Sequence, residues 1–250
     1  MRYWHPMAME TALAVKEFNP DSIILLPLYP QFSSTTTASS VRQWTKVCGQ
    51  VGLSAPTRTI CCYPIEVGFI GRSAALVREA YERASAHGKP RILFSAHGLP
   101  ESVVKSGDPY QWQVEQTSAA IVQAMAMEDL DWVTCYQSRV GPLEWIKPAT
   151  EDEIKRAGDD GVPLVIYPLA FVSEHSETLV ELDIEYRELA EEHHVPAYER
   201  ARTVDDDEDF IAGLADLVRE ALQRAPGVTA SQTGARLCPG NWKDCPADAA

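Results

Sequence analysis

Short apolar runs rich in β-branched residues alternate with longer amphipathic stretches along most of the chain. Runs of about four to eight such residues are typical of buried strands, and apolar side chains at helical spacing are typical of helices packed on a sheet. This alternation is the pattern of βαβ units. It therefore predicts an α/β fold with parallel sheets flanked by helices.

The chain is predicted to divide into three regions. His87-Gly88-Lys89-Pro90 ends a helix and marks a boundary, so the regions are 1–88, 89–225 and 226–250. The last region contains turn residues and little periodicity, and we expect it to be loosely ordered unless its cysteines bind a ligand. The predicted strands are 22–28, 58–63, 91–95, 132–137 and 163–168, and the predicted helices are 41–51, 68–86, 111–126, 150–157, 177–192 and 209–224.

The charge balance and the length of the apolar runs exclude several classes of protein. The 22 Lys and Arg residues face 36 Asp and Glu residues, which gives a net charge of −14 and argues against a nucleic-acid binder. No apolar stretch approaches the roughly 20 residues of a membrane span, and the first residues do not resemble a secretory signal. A cytoplasmic location is predicted, in which the six cysteines are thiols or metal ligands rather than disulfides.

Two polar loops directly follow apolar strands, and both carry ionisable groups. They are Ser95–Pro100, which contains His97, and Phe171–Glu177. In open parallel sheets, ligands bind beyond the carboxyl ends of the strands, where such loops converge. If both strands lie in one sheet, His97 and Glu177 can face each other and supply a nitrogen and a carboxylate for metal capture or proton transfer. The alternative is that His97 only caps its loop.

Four glutamates recur at steps of three, four and four residues. Glu174, Glu177, Glu181 and Glu185 would form one acidic ridge along a helix. Such a ridge could pass protons or divalent cations away from a pocket, or it could simply be a solvated helix face.

Aromatic and cationic residues lie close to the same strand ends, as the walls of a site for a large flat ligand would require. They could equally be ordinary core residues. The candidates are Tyr3, Tyr136, Trp145 and Phe171 for apolar contact, and Arg2 and Arg139 for carboxylates.

Five motifs occur in order along the chain, at 26–33, 94–100, 107–110, 136–142 and 171–179. Together they make the sequence resemble the ferrochelatases, which insert ferrous iron into a porphyrin in the last step of protohaem synthesis. The sequences of several motifs most resemble those of proteobacterial members.

The resemblance implies a fold of two Rossmann-like halves with a porphyrin cleft between them. Region 1–88 would be the remnant of the first half and 89–225 the second, with its last helix able to pack back on the first. The implied substrates are protoporphyrin IX and Fe²⁺, with no transmembrane segment and room for a peripheral membrane contact. The implied site residues are His97 and Glu177 as iron ligands or proton acceptors, Glu181 and Glu174 on an acidic path, and Arg2, Tyr3, Tyr136, Trp145 and Phe171 around the porphyrin.

The sequence differs from the usual family pattern in two ways. Family members begin well before the Met1–Pro6 motif, so we expect a mis-assigned start or a fragment, with an in-frame Gly-Gly-Pro segment upstream in the genomic DNA. Animal enzymes carry a [2Fe–2S] cluster, and Ser34 replaces the ligand in the first half. A differently placed cluster would use Cys61, Cys62, Cys238 and Cys245. The alternative is free thiols, with Cys48 and Cys135 serving only in packing.

Two other functions stay open at this point. One is a chelatase for another metal or for coproporphyrin. The other is a truncated chain that binds porphyrin without turnover.

Overall fold

The computed structural model describes residues 4–247, which fall into two compact units. The first unit comprises residues 4–63, 107–109 and 214–247, and the second comprises 64–106 and 110–213. Arg2 and Tyr3 lie outside the described residues. The division into 1–88, 89–225 and 226–250 stays a prediction about domain organisation.

Helices and strands alternate along the described chain. In chain order they are α1 (Ala8–Phe18), β1 (Ile23–Leu25), α2 (Thr37–Val51), β2 (Thr57–Ile60), α3 (Val67–Ala84), a 3₁₀ turn (Ser85–His87), β3 (Arg91–His97), α4 (Glu101–Lys105), α5 (Tyr110–Met125), β4 (Asp131–Gln137), α6 (Thr150–Asp160), β5 (Leu164–Pro168), a π-helix (Glu177–Glu185), α7 (Tyr186–Glu192), β6 (Tyr198–Arg200), α8 (Glu208–Leu222) and β7 (Thr229–Ala230).

The second unit is built on a four-stranded parallel sheet in the order β4-β3-β5-β6. Strand β3 is central, and its pairing with β4 runs in register from Arg91↔Asp131 to His97↔Gln137. Helices cover both faces, as the burial of such a sheet requires. α3 packs on β5 and β6, while α6 packs on β3 and β4. The predicted α/β class with parallel strands is confirmed.

The π-helix and α7 close one face of this sheet. A cluster of buried side chains joins them to α6 and to the strands, and its members include Leu93, Cys135, Ile154, Ile166, Leu182 and Tyr186. Leu182 has no exposed surface and Tyr186 is 4% exposed, so this packing fixes the π-helix firmly against the sheet. The position of the π-helix decides where its glutamates point.

The first unit contains a three-stranded parallel sheet in the order β1-β2-β7. β7 comes from the C-terminal region and pairs with β2 through Thr59↔Thr229 and Ile60↔Ala230. The Cys61 amide also donates a hydrogen bond to the Ala230 carbonyl. Two residues of the C-terminal region, 229 and 230, thus complete this sheet, and residues 231–247 form turns and loops without a further helix or strand. The expectation that this region is loosely ordered unless its cysteines bind a ligand stays a prediction.

Most predicted elements occur close to their predicted bounds, but some elements were not anticipated. α1, α4, β6 and β7 are additional, and the predicted helix 177–192 is a π-helix followed by α7. None of the helices in residues 4–247 is long and apolar enough to cross a membrane.

Candidate active site

His97 is the last residue of β3, at the carboxyl end of the central strand. Its Nδ1 atom lies 2.9 Å from the Gly98 carbonyl oxygen. Since a carbonyl can only accept, Nδ1 carries the proton and the lone pair of the neutral ring lies on Nε2. The Tyr110 hydroxyl donates to the His97 carbonyl at 3.0 Å, and the Gly98 amide donates to the Gln137 carbonyl at 2.8 Å. The backbone on both sides of the imidazole is therefore fixed.

Glu177 begins the π-helix and faces this imidazole. The distance from His97 Nε2 to Glu177 Oε2 is 3.8 Å, and the two side chains are 44% and 34% exposed. Both groups are therefore open to a ligand while lying close enough to contact the same atom. The Nδ1 contact with the Gly98 carbonyl is the one that the loop-cap alternative predicts, and the Nε2 atom faces the Glu177 carboxylate.

Glu181 lies one turn further along the π-helix and accepts four hydrogen bonds. Its Oε1 atom accepts from the Ser138 amide at 2.9 Å and from the Tyr186 hydroxyl at 3.0 Å, and its Oε2 atom accepts from Gln137 Nε2 at 3.1 Å and from Ser138 Oγ at 2.5 Å. These four donors fix the position of the Glu181 carboxylate. Burial and the nearby Glu181 charge raise the pKa of Tyr186, which keeps that hydroxyl protonated as a donor.

Glu174 is held by a different set of partners. Arg200 Nη1 lies 2.9 and 3.1 Å from its two oxygens, and the Thr178 hydroxyl and Thr203 amide also donate to it. Burial alone would raise the pKa of Glu174, but the bonds from Arg200 and Thr178 outweigh it and lower that pKa. Arg200 also bonds Asp183 Oδ1 at 2.5 Å. Glu174 therefore anchors the loop before the π-helix rather than extending a row with Glu177 and Glu181.

The predicted aromatic walls differ in how much surface they offer. The Phe171 ring stacks on His175 with centroids 5.7 Å apart, and both side chains reach the surface. Trp145 is half-buried, and its ring lies so close to Gly98 that a Cβ atom there would be 3.2 Å from Trp145 Cε3. Tyr136 is 1% exposed and offers no free face to a ligand. Phe171 and Trp145 are thus the described candidates for a wall.

Four cysteines converge in the first unit as two close pairs. The Cys61 and Cys62 sulfurs are 3.7 Å apart, and all four thiols, including Cys238 and Cys245, are buried. A hydrogen bond from Cys238 lowers the pKa of Cys245 to about 6, although burial opposes the shift. The bond with Cys61, burial and the charges of the other pair raise the pKa of Cys62.

In the part of the chain from 4 to 247, no three His, Cys, Asp or Glu side chains form a preassembled metal site. The pair of His97 and Glu177 can accept a proton, because neutral imidazole and carboxylate are both bases near neutral pH. The geometry thus supports transfer of a metal or of protons at the carboxyl end of β3.

The fold defines the class of protein. The sirohydrochlorin chelatase SirB from Bacillus subtilis subspecies spizizenii, solved in complex with cobalt, superposes with a TM-score of 0.57 over 88% of this chain and 78% of SirB, at 11% identity. At that identity the likeness concerns the fold alone, which is that of the chelatases.

Sequence comparison then identifies the family. The family model described as Ferrochelatase matches residues 1–222. A ferrochelatase from Caulobacter vibrioides (strain NA1000 / CB15N) is 51% identical over 246 residues, which are 98% of this chain and 70% of the relative. One from Phenylobacterium zucineum (strain HLK1) is 51% identical over 245 residues, covering 98% of this chain and 69% of the relative. The chain belongs to the ferrochelatase family of porphyrin metal chelatases, which are lyases.

Several residues around the site were not found by sequence reasoning. Ser138, Gln137 and Tyr186 all bind Glu181, and His175 stacks on Phe171. His175 could have been recognised from the sequence, because it lies in the loop after β5, two residues before Glu177. The bonds of Ser138 depend on a left-handed backbone, with φ 58°, that no sequence pattern announces.

Proposed function

We propose that this chain inserts Fe²⁺ into protoporphyrin IX to give protohaem, with His97 and Glu177 as the catalytic residues. The observation that carries the proposal is the 3.8 Å separation of His97 Nε2 and Glu177 Oε2 at an open sheet end. Membership of the ferrochelatase family supports the choice of metal and tetrapyrrole.

The reaction exchanges one Fe²⁺ for the two N–H protons of the porphyrin, so the site has to bind a cation and accept protons. The Glu177 carboxylate can bind the cation, because borderline metals such as Fe²⁺ accept oxygen ligands. Each of the two groups can then accept one of the two protons, His97 on its Nε2 lone pair and Glu177 on a carboxylate oxygen once the metal has moved into the ring. We place the first proton transfer at His97 Nε2, since its Nδ1–H is held by the Gly98 carbonyl. The Glu177 carboxylate, 3.8 Å from Nε2, can then form an ion pair with the resulting imidazolium.

The macrocycle has to bend for the metal to enter, and its wall is proposed to be Phe171 and Trp145. Aromatic faces that fit a bent ring better than a planar one would lower the barrier, since they bind the transition-state shape more strongly. Arg2 and Tyr3 remain proposed porphyrin contacts outside the described residues. Tyr136 is left out of the wall because it is buried.

The test is an anaerobic assay of the whole chain with Fe²⁺ and protoporphyrin IX, followed by the absorbance of the product haem. Parallel reactions use Co²⁺ or Zn²⁺, and coproporphyrin in place of protoporphyrin. Faster turnover with Fe²⁺ and protoporphyrin than with the other pairs supports the proposal. A preference for coproporphyrin, or porphyrin binding without metal insertion with any metal, would contradict it.

We further propose that Cys61, Cys62, Cys238 and Cys245 hold a [2Fe–2S] cluster. Each iron of a [2Fe–2S] cluster takes two thiolates, so a donor set made of two cysteine pairs suits it. The burial of the thiols and the 3.7 Å separation of the first pair fit this donor set. When bound, the cluster would supply a one-electron redox centre and a covalent link between the C-terminal region and the end of β2.

An iron-loaded, anaerobically purified sample is therefore expected to absorb visible light and to release acid-labile sulfide. Cys245→Ser should remove both signals, because it deletes one ligand. Cys48→Ser is the matched control, since Cys48 lies in α2 apart from the four thiols, and it should leave the signals unchanged. Free thiols without labile sulfide in the wild-type sample would refute the cluster.

The cytoplasmic location and the peripheral membrane contact stay predictions. Cell fractionation with an antibody to the chain would test both together.

A further inference from the structure

Ser138 adopts a backbone conformation that a serine seldom takes. It directly follows β4, and its φ of 58° lies in the left-handed region. That region is unfavourable for residues with a Cβ atom, and such residues persist where the surrounding structure requires them.

The left-handed turn aims both polar groups of Ser138 at the π-helix. Its amide donates to Glu181 Oε1 at 2.9 Å, and its hydroxyl lies 2.5 Å from Glu181 Oε2 and 3.5 Å from Glu177 Oε2. Ser138 therefore contacts both carboxylates that face the end of the sheet, and it lies one residue beyond the strand end that pairs with His97.

The two carboxylates need such a partner because they carry like charges one turn apart. Like charges at this spacing repel, and an unrestrained Glu177 would turn away from Glu181 into solvent. Gln137, which is fully buried and bonded to Ser95 Oγ at 2.6 Å, supplies a further donor to Glu181. The end of β4 thus holds the Glu181 carboxylate in place through Gln137 and Ser138.

The single hydroxyl proton of Ser138 is donated to Glu181, which is the nearer carboxylate at 2.5 Å. We propose that Ser138 is a positioning residue for metal insertion, which fixes Glu181 and partly neutralises its charge, so that Glu177 is not repelled from its place opposite His97. The proposal rests on the proposed function and adds a residue that acts through the glutamates rather than on the substrates. The hydroxyl of Ser138 is the group to be tested, because the backbone amide is present in every variant at position 138.

The test compares three substitutions that tolerate a left-handed backbone. Ser138→Gly removes the hydroxyl and relieves the backbone, so it should lower kcat about 10- to 100-fold while the KM for porphyrin changes less than about twofold and the melting temperature does not fall. Ser138→Asn restores a donor and should recover part of kcat. Ser138→Asp has the same shape without the donor and should not. Ser102→Ala, in the exposed face of α4, is the control and should behave as wild type.

The outcomes separate a positioning role of Ser138 from a merely structural one. A wild-type kcat in Ser138→Gly would overturn it, and so would equal rates for the Asn and Asp variants. A fall in kcat that matches a fall in melting temperature would assign Ser138 a merely structural role and would also overturn the proposal. A wild-type chain that inserts no metal would refute the proposed function itself, independently of the comparison among variants.

Discussion

His97→Ala is expected to lower the rate of iron insertion by about 1,000-fold, while porphyrin still binds. The substitution removes the base that takes the first porphyrin proton, and general base catalysis is worth about 10² to 10⁴. Binding should persist because it depends on apolar contact with the wall rather than on the imidazole. The measurements are kcat by anaerobic assay and the porphyrin Kd by fluorescence quenching.

His87→Ala is the matched control for this experiment. His87 is exposed in the 3₁₀ turn after α3 and makes no part of the site, so its loss should change neither constant. A His97→Ala enzyme that retains more than about a tenth of the wild-type rate would show that the imidazole is not the base.

Arg200→Met is expected to destabilise the folded chain by about 2 to 3 kcal/mol at neutral pH. Arg200 is 10% exposed and bonds both Glu174 and Asp183, whose side chains are 25% and 28% exposed. Breaking a buried ion pair costs about 3 to 5 kcal/mol because a charge is left unpaired, and the partial exposure of these carboxylates reduces that figure. The free energy of unfolding in urea measures the effect.

The pH dependence of this difference has a definite sign. Because the pKa of Glu174 is lowered from its ordinary value of 4.5 in the folded chain, its contribution is complete above pH 4.5 and is lost as the pH falls through the folded-state pKa. The gap between wild type and Arg200→Met should therefore shrink in acid.

Arg83→Met is the control for the ion pair. Arg83 is 53% exposed and pairs with Glu199 at 2.8 Å, so its loss should cost less than about 1 kcal/mol. Equal losses in both variants, or a gap for Arg200→Met that widens in acid, would contradict the assignment of Arg200 as the buried partner.

The parallel α/β architecture could be predicted from the sequence because burial on both faces of a sheet leaves a local mark. Strand β5 is apolar throughout, and α3 shows apolar residues at helical spacing. The strand order β4-β3-β5-β6 and the pairing of β7 with β2 depend on contacts between distant segments, which local periodicity does not record. β7 escaped prediction because it spans only two residues.

The site could be predicted only in part, because some of its residues are placed by the order of the elements and others by contacts between distant segments. His97 ends β3 and Glu177 begins the π-helix, both at the carboxyl end of the sheet, so topology alone brings them together. The acidic row was predicted along one helix, whereas Glu174 lies in the loop before the π-helix and binds Arg200. Sequence spacing carries no information about which glutamate a distant arginine will bind.

The central claim is that His97 and Glu177 act on the same metal and protons, and a double-mutant cycle tests it most directly. The measurement is kcat for His97→Ala, Glu177→Gln and the double variant under one set of anaerobic conditions. Groups that act as a unit lose little more together than singly, so we predict a double variant within about threefold of the slower single variant. Losses that multiply would mean that the two residues act independently, and would contradict the account.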